Sequence, residues 1–203
     1  MPGSTKRTAT ENAETEISKT AKKCAPPKIS LHPAADLTLV IGEKQQSVKV
    51  LKSTMQTVSP VWRAMFRPEW SDSQKSTITL DEDDSNAMLI LLRIAHQKHQ
   101  DLPKSLTWHE LQELAVACDK YDTVHVVRHV STSLGWLKHH EKMFQYPGHA
   151  SGLFFLLNFG DAQKFAAVAQ DIVMNSVIDE RGGLVWKGTQ VNPDDHSEDL
   201  VGK

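Results

Sequence analysis

No stretch of this 203-residue chain reaches the roughly 18–20 apolar residues that a bilayer-spanning helix needs, and none near the N-terminus could form a signal-peptide core. An intracellular protein of cytoplasm or nucleus, without a membrane role, is expected. Cysteine is scarce. Cys24 and Cys118 are too few and too different in setting for a disulfide framework or a zinc site of their own. An excess of one charge is also missing: 23 Lys and Arg face 25 Asp and Glu, which excludes a generally basic nucleic-acid binder. The ten glycines are scattered, with only Gly182 and Gly183 adjacent, so no phosphate-cradling loop is present, and no Gly-x-Ser-x-Gly elbow occurs.

What is present is concentrated in the middle. Residues 1–35 hold few large apolar side chains and carry Lys6, Arg7, Lys19, Lys22, Lys23 and Lys28 against Glu11, Glu14 and Glu16, a net +3. Residues 189–203 carry Asp194, Asp195, Glu198 and Asp199 against Lys203, a net −3. Neither segment can bury enough surface to offset the entropy of ordering, so both are expected to be disordered tails. The mean hydropathy of −0.39 then describes an ordinary core diluted by two polar tails of opposite sign.

Within the core, Leu37, Leu39 and Ile41 alternate with polar neighbours, and after Gly42 a second alternation places Val48 and Val50 between Ser47, Lys49 and Lys52. This predicts a β-hairpin. Ser59-Pro60 predicts a helix start with an apolar face of Val61, Trp62, Met65 and Phe66, and Ser76 to Leu80 a third strand. From Asp83 the period turns helical. Met88 to Ala95 is apolar on most sides, as for a central helix, and further helices are predicted over 107–121, 123–136, 151–159 and 162–176. Pro147-Gly148 marks a turn before the last two, and Gly160-Asp161 a hinge between them. The sum is an α+β fold, helix-rich, with a short three-stranded sheet flanked by a helical bundle.

The residue types that carry chemistry lack the spacing to perform it. His125 and His129 stand at i and i+4, able to share a metal from one helix face, but no glutamate lies between them and no third ligand is evident, although His96, His99, His139 and His140 could be brought near. The acids Asp81, Glu82, Asp83 and Asp84 precede a helix, where they favour the positive end of its dipole and supply a cap. Cys118 sits on an apolar stripe, which suppresses the thiolate a nucleophile needs. Trp62, Trp70, Trp108, Trp136 and Trp186 could serve a partner surface, yet each of the first four falls beside a helix pattern and suits the core at least as well. A non-enzyme without cofactors or metal is expected.

These elements, in this order, resemble a BTB/POZ domain, and in particular the short single-domain BTB proteins of filamentous fungi. The resemblance rests on Asp36-Leu37-Thr38-Leu39-Val40-Ile41-Gly42 as the first strand, Val48-Lys49-Val50 leading to Lys52 as the second, and Ser59-Pro60-Val61-Trp62-Arg63-Ala64-Met65-Phe66 as a characteristic helix. Ile78 to Asp84 with Ala87-Met88, and Leu111 to Tyr121 closing on Cys118-Asp119-Lys120-Tyr121-Asp122, complete it. The histidine common before the first helix is absent, Val50-Leu51-Lys52 standing there. Residues 1–35 also lack the patterning of the extra strand and helix that domain-swapped dimers use.

The resemblance implies a BTB/POZ-like domain at 36–122, a helical extension packing on it at 123–188, and a protein–protein interaction module whose function comes from its own surfaces. By position Asp36 and Lys52 are the acid and base of a charged pocket near a dimer interface. For self-association the candidates are Trp62, Met65 and Phe66 with the first strand. For an adaptor to a cullin-type ubiquitin ligase scaffold they are the central helix, residues 97–106 and the helix after them, with Leu102, Trp108 and His109. Two alternatives of other classes stay open: a metal-dependent hydrolase built on the histidines, and a nucleic-acid-linked regulator acting through the basic tail, although nucleic acid is not the expected partner.

Overall fold

Alternation of buried and half-buried side chains along Leu37–Ile41 (β2) gives this strand one face for the core and one for solvent. It pairs antiparallel with Gln46–Val50 (β3), Leu37 opposite Val50 and Leu39 opposite Val48. Gly42, at φ 64°, makes the turn, and a Cβ there would lie 2.6 Å from Ser85 Oγ and 2.8 Å from the Asp83 carbonyl. These features come from a computed structural model that describes residues 27–70, 74–140, 150–160, 162–186 and 189–190.

The sheet has four strands, one more than the alternation predicts. Ile29–Ser30 (β1) runs parallel to β3, and Thr77–Leu80 (β4) runs parallel to β2, in the order β1-β3-β2-β4. The domain therefore begins before Asp36. Leu31, assigned to the polar tail by composition, is only 3% exposed, and its N–H donates to the Lys49 carbonyl.

Lys52–Val58 (α1) was not predicted, since it buries Met55 alone and shows no apolar stripe. Ser59 closes α1, its N–H donating to the Met55 carbonyl, and caps Pro60–Met65 (α2) by accepting the Trp62 N–H on Oγ at 3.0 Å. Ser85–Ala95 (α3) buries seven of its residues, and Asp84 caps it by accepting the N–H groups of Asn86 and Ala87. Trp108–Lys120 (α4) opens on a capping box in which Thr107 and Glu110 satisfy each other's backbone. Val124–Leu134 (α5) ends at Gly135 in the left-handed region, φ 67°, and a 3-10 turn over Trp136–His140 follows.

One core joins these elements. Trp62, Met88, Leu91, Leu111, Leu114 and Trp136 are each at most 1% exposed. Ala150–Asn158 (α6) lies against α4, where Phe155 meets Trp108 edge-on at 4.6 Å between ring centres. Gly160 packs on the last turn of α6, where a Cβ would sit 2.7 Å from Leu156 Cα, and Ala162–Asn175 (α7) follows. The chain then forms a second, antiparallel sheet of Ser176–Ile178 (β5), Leu184–Trp186 (β6) and Thr189–Gln190 (β7), so the segment from 189 begins as a strand and not as a polar tail. Asp161, Pro147-Gly148, Cys24 and the lysines at 6, 19, 22 and 23 lie outside the described residues.

Candidate functional site

The buried polar groups tie elements together. Asp83, beside the cap of α3, accepts the Tyr121 hydroxyl at 2.6 Å and the Lys120 ammonium at 2.7 Å. Tyr121 closes α4, stacks on Trp62 at 5.0 Å, and receives the Ser59 hydroxyl on its carbonyl at 2.6 Å. Burial first, then the hydrogen bond and charge of Asp83, push the Tyr121 phenol well above its usual range. Its proton is fixed in place, which suits a cross-link between α2, α3 and α4 and not acid–base exchange.

Asp36 and Lys52, expected as the acid and base of a pocket, meet through the Lys52 backbone. Asp36 Oδ1 accepts the Lys52 backbone N–H at 2.8 Å, holding the first residue of α1, while Lys52 Nζ donates to the Lys75 carbonyl at 3.0 Å and lies 5.9 Å from the centre of the Phe66 ring. Lys52 is thus a helix residue, not a strand end.

The expected self-association face is a different matter. Trp62 and Phe66 are 1% and 6% exposed, and Met65 is half-buried against the same core. Trp62 within α2 and Phe66 at its end stabilise the fold from inside and offer no surface, so the assignment is corrected for these two aromatics. At the other end, Leu102 is half-buried, Trp108 is covered by Phe155 and His140, and His109 is exposed beside Glu113. Of these three candidates only His109 is exposed.

The histidines disperse. His125 and His129 are exposed on α5, whereas His96 is half-buried with Nδ1 2.9 Å from the Leu92 carbonyl and Nε2 accepting the Leu51 N–H at 3.1 Å. Burial is the main cause that draws His96 below its ordinary value. Among the described residues no group of three His, Cys, Asp or Glu side chains could hold a metal ion. Burial pushes the Cys118 thiol up to about 12, far from a nucleophile's range. Among the described residues no helix is long and apolar enough to cross a membrane.

Two surfaces were not foreseen. Val173, Met174, Val177 and Ile178 are 66–76% exposed where α7 passes into β5. Asn175 and Ser176 split these four residues into two pairs, and only the structure shows that nothing described covers them. A groove of about 370 Å³ lies between α5, the 3-10 turn, α6 and α7, rimmed by Arg128, Lys138 and Lys164. Three cations from three elements have no spacing for a sequence to reveal.

Compared with known proteins, the chain has no match among the curated ones, whereas the family model for the BTB/POZ domain matches residues 30–136. The match begins at β1 and ends on Trp136, covering the four-stranded sheet and helices α1 to α5. That span is more than half of the chain, which therefore belongs to the BTB/POZ family of protein–protein interaction modules, in general non-catalytic.

Proposed function

We propose that the chain is a non-catalytic adaptor that docks a protein scaffold of the cullin type through residues 97–106 and the outer face of α4. The observation that carries this is Val116, 54% exposed on a helix whose other side is buried. His109, Glu113 and Val116 follow one another at helical spacing, so an apolar contact sits in a polar rim on one rigid face. The capping box and the Trp108–Phe155 contact fix the start of that helix, which lowers the ordering cost of binding. The test is a pull-down with the tagged full chain from native lysate, run beside known cullin adaptors and repeated with Val116→Asp. Recovery of a cullin by the parent and its loss in the variant support the reading. Recovery by the known adaptors alone ends it.

A second reading, self-association, is favoured by a separate observation. β5 stands at the edge of its sheet, and Val177 and Ile178 on it are exposed together with Val173 and Met174. An open strand edge with apolar side chains is a ready template for a second copy. Light scattering on the purified chain showing a monomer at tens of micromolar would remove this reading.

A further inference from the structure

The groove between α5 and the extension combines three features that a simple surface dent lacks. Its rim is cationic, with exposed Arg128, Lys138 and Lys164. Its wall is apolar, from Leu156 and Phe159, 3% and 2% exposed. Ser131 also lines it, 1% exposed, and its Oγ has no hydrogen-bond partner among the described residues. A buried hydroxyl left without a partner costs free energy until something supplies one. Arg128 is held in place by donating from Nε to the Asn158 carbonyl at 2.8 Å and from Nη2 to the Leu157 carbonyl at 3.0 Å.

We propose that this groove binds the acidic segment Glu198-Asp199-Leu200-Val201 of the same chain. The segment matches the groove in both respects: two carboxylates for the cationic rim, followed by two aliphatic side chains for the apolar wall. The reach is sufficient. Gln190 is the last described residue, so Glu198 lies eight residues and Leu200 ten residues beyond it, up to about 26 and 33 Å when extended. From Ser176, where α7 passes into the second sheet, back to Lys164 is twelve helical residues, about 18 Å. Crossing the sheet from β7 to β5 adds about 10 Å. Docking there places a negative segment across α5, the 3-10 turn and α7, and cross-links the extension to the domain.

The chain carries its own competitor for those acids, the net +3 segment at 1–35, and the experiment separates the two. Equal amounts of unlabelled and ¹⁵N-labelled full-length protein are mixed and treated with a carbodiimide, which joins carboxylates to amines only in contact. The expected products link Glu198 or Asp199 to Lys138 or Lys164 within one copy. Their yield should fall several-fold in Leu200→Ser/Val201→Ser, which keeps both acids and both lysines but removes the aliphatic pair, and at salt high enough to shrink the screening length to about 4 Å. Both substitutions lie beyond Gln190, so the described fold is left intact, which circular dichroism checks. Links to lysines 6, 19, 22 or 23 in place of the groove, links between isotopically different copies, or no link to either groove lysine would each overturn the proposal.

Discussion

Replacing Tyr121 by Phe removes one hydroxyl and nothing else from the node where α2, α3 and α4 meet. The ring keeps its contact with Trp62, 5.0 Å between centres, so the change isolates the bond to Asp83. That carboxylate is only 6% exposed and keeps Lys120, whose side chain is 44% exposed and already shares its charge with solvent. Losing a hydrogen bond to a buried charged group costs about 1.5–3 kcal/mol, whereas the solvent-screened ion pair accounts for well under that. For a chain of this size such a loss lowers the melting temperature by about 4–10 °C. Asp83→Ala leaves the buried phenol without its acceptor and should cost at least as much. The double variant should cost about 1–2 kcal/mol less than the sum, because both changes remove the same bond. Alkali gives an independent check. The phenol is raised in the folded state, so the stability it contributes is complete below its unfolded value near 10 and is lost as pH rises beyond it. Tyr121→Phe should therefore lose less stability than the parent above about pH 10. Thermal melts across that range measure both effects. A variant melting within about a degree of the parent, with strictly additive partners, would refute the account of Asp83 and Tyr121 as a stabilising cross-link.

Three further outcomes follow from single residues. Leu51 N–H can only donate and the Leu92 carbonyl can only accept, so His96 is bound as the neutral ring with its proton on Nδ1. Its lowered value means that its contribution is present above the unfolded value near 6.5 and lost as pH falls below, so His96→Gln should flatten the decline of the melting temperature with acid. Parallel profiles for parent and variant would contradict this. In Cys24→Ser, Cys118 should resist maleimide at neutral pH until denaturant is added, because burial holds its thiol up to about 12; rapid labelling of the native protein would show that the site opens. Gly42→Ala should lose at least about 2 kcal/mol in urea titration, from a left-handed backbone and a Cβ 2.6 Å from Ser85 Oγ, and a neutral result would place the turn elsewhere.

Where the sequence could be read, periodicity and capping agreed. The β2–β3 hairpin follows from alternation, α3 from apolar residues on most sides, and the start of α2 from Ser59-Pro60. The elements that escaped are those whose stability comes from neighbours. Helix α1 contains Thr54, Thr57 and Val58, poor helix formers, and buries one residue, so only its place between β3 and Ser59 accounts for it. Strands of two or three residues, such as β1 and β5 to β7, are shorter than the period by which a strand is recognised. The candidate site suffered from a different ambiguity. Trp62 and Phe66 have the composition of an interface anchor and of a core anchor alike, and Tyr121, 62 positions away from Ser59 and hydrogen-bonded to it, helps to decide between them.

Trp108 shows how the extension redistributes surface over the family fold. It opens α4 inside the matched span of 30–136, and Phe155, which buries it, lies outside that span. The apolar run Phe154 to Leu157 divides accordingly: Phe155 and Leu156 turn inward at 0% and 3% exposure, and Leu157 remains 58% exposed. Full burial of a side chain as large as Trp108 or Phe155 contributes about 2–3 kcal/mol each. The extension therefore adds core over an aromatic that opens α4. What remains available near that end is His109 and Val116 on the outer face of α4, and the new surface is carried outward to the groove at Arg128, Lys138 and Lys164 and to the apolar edge at β5. Trp108 itself, covered by Phe155 and His140, is withdrawn from that surface.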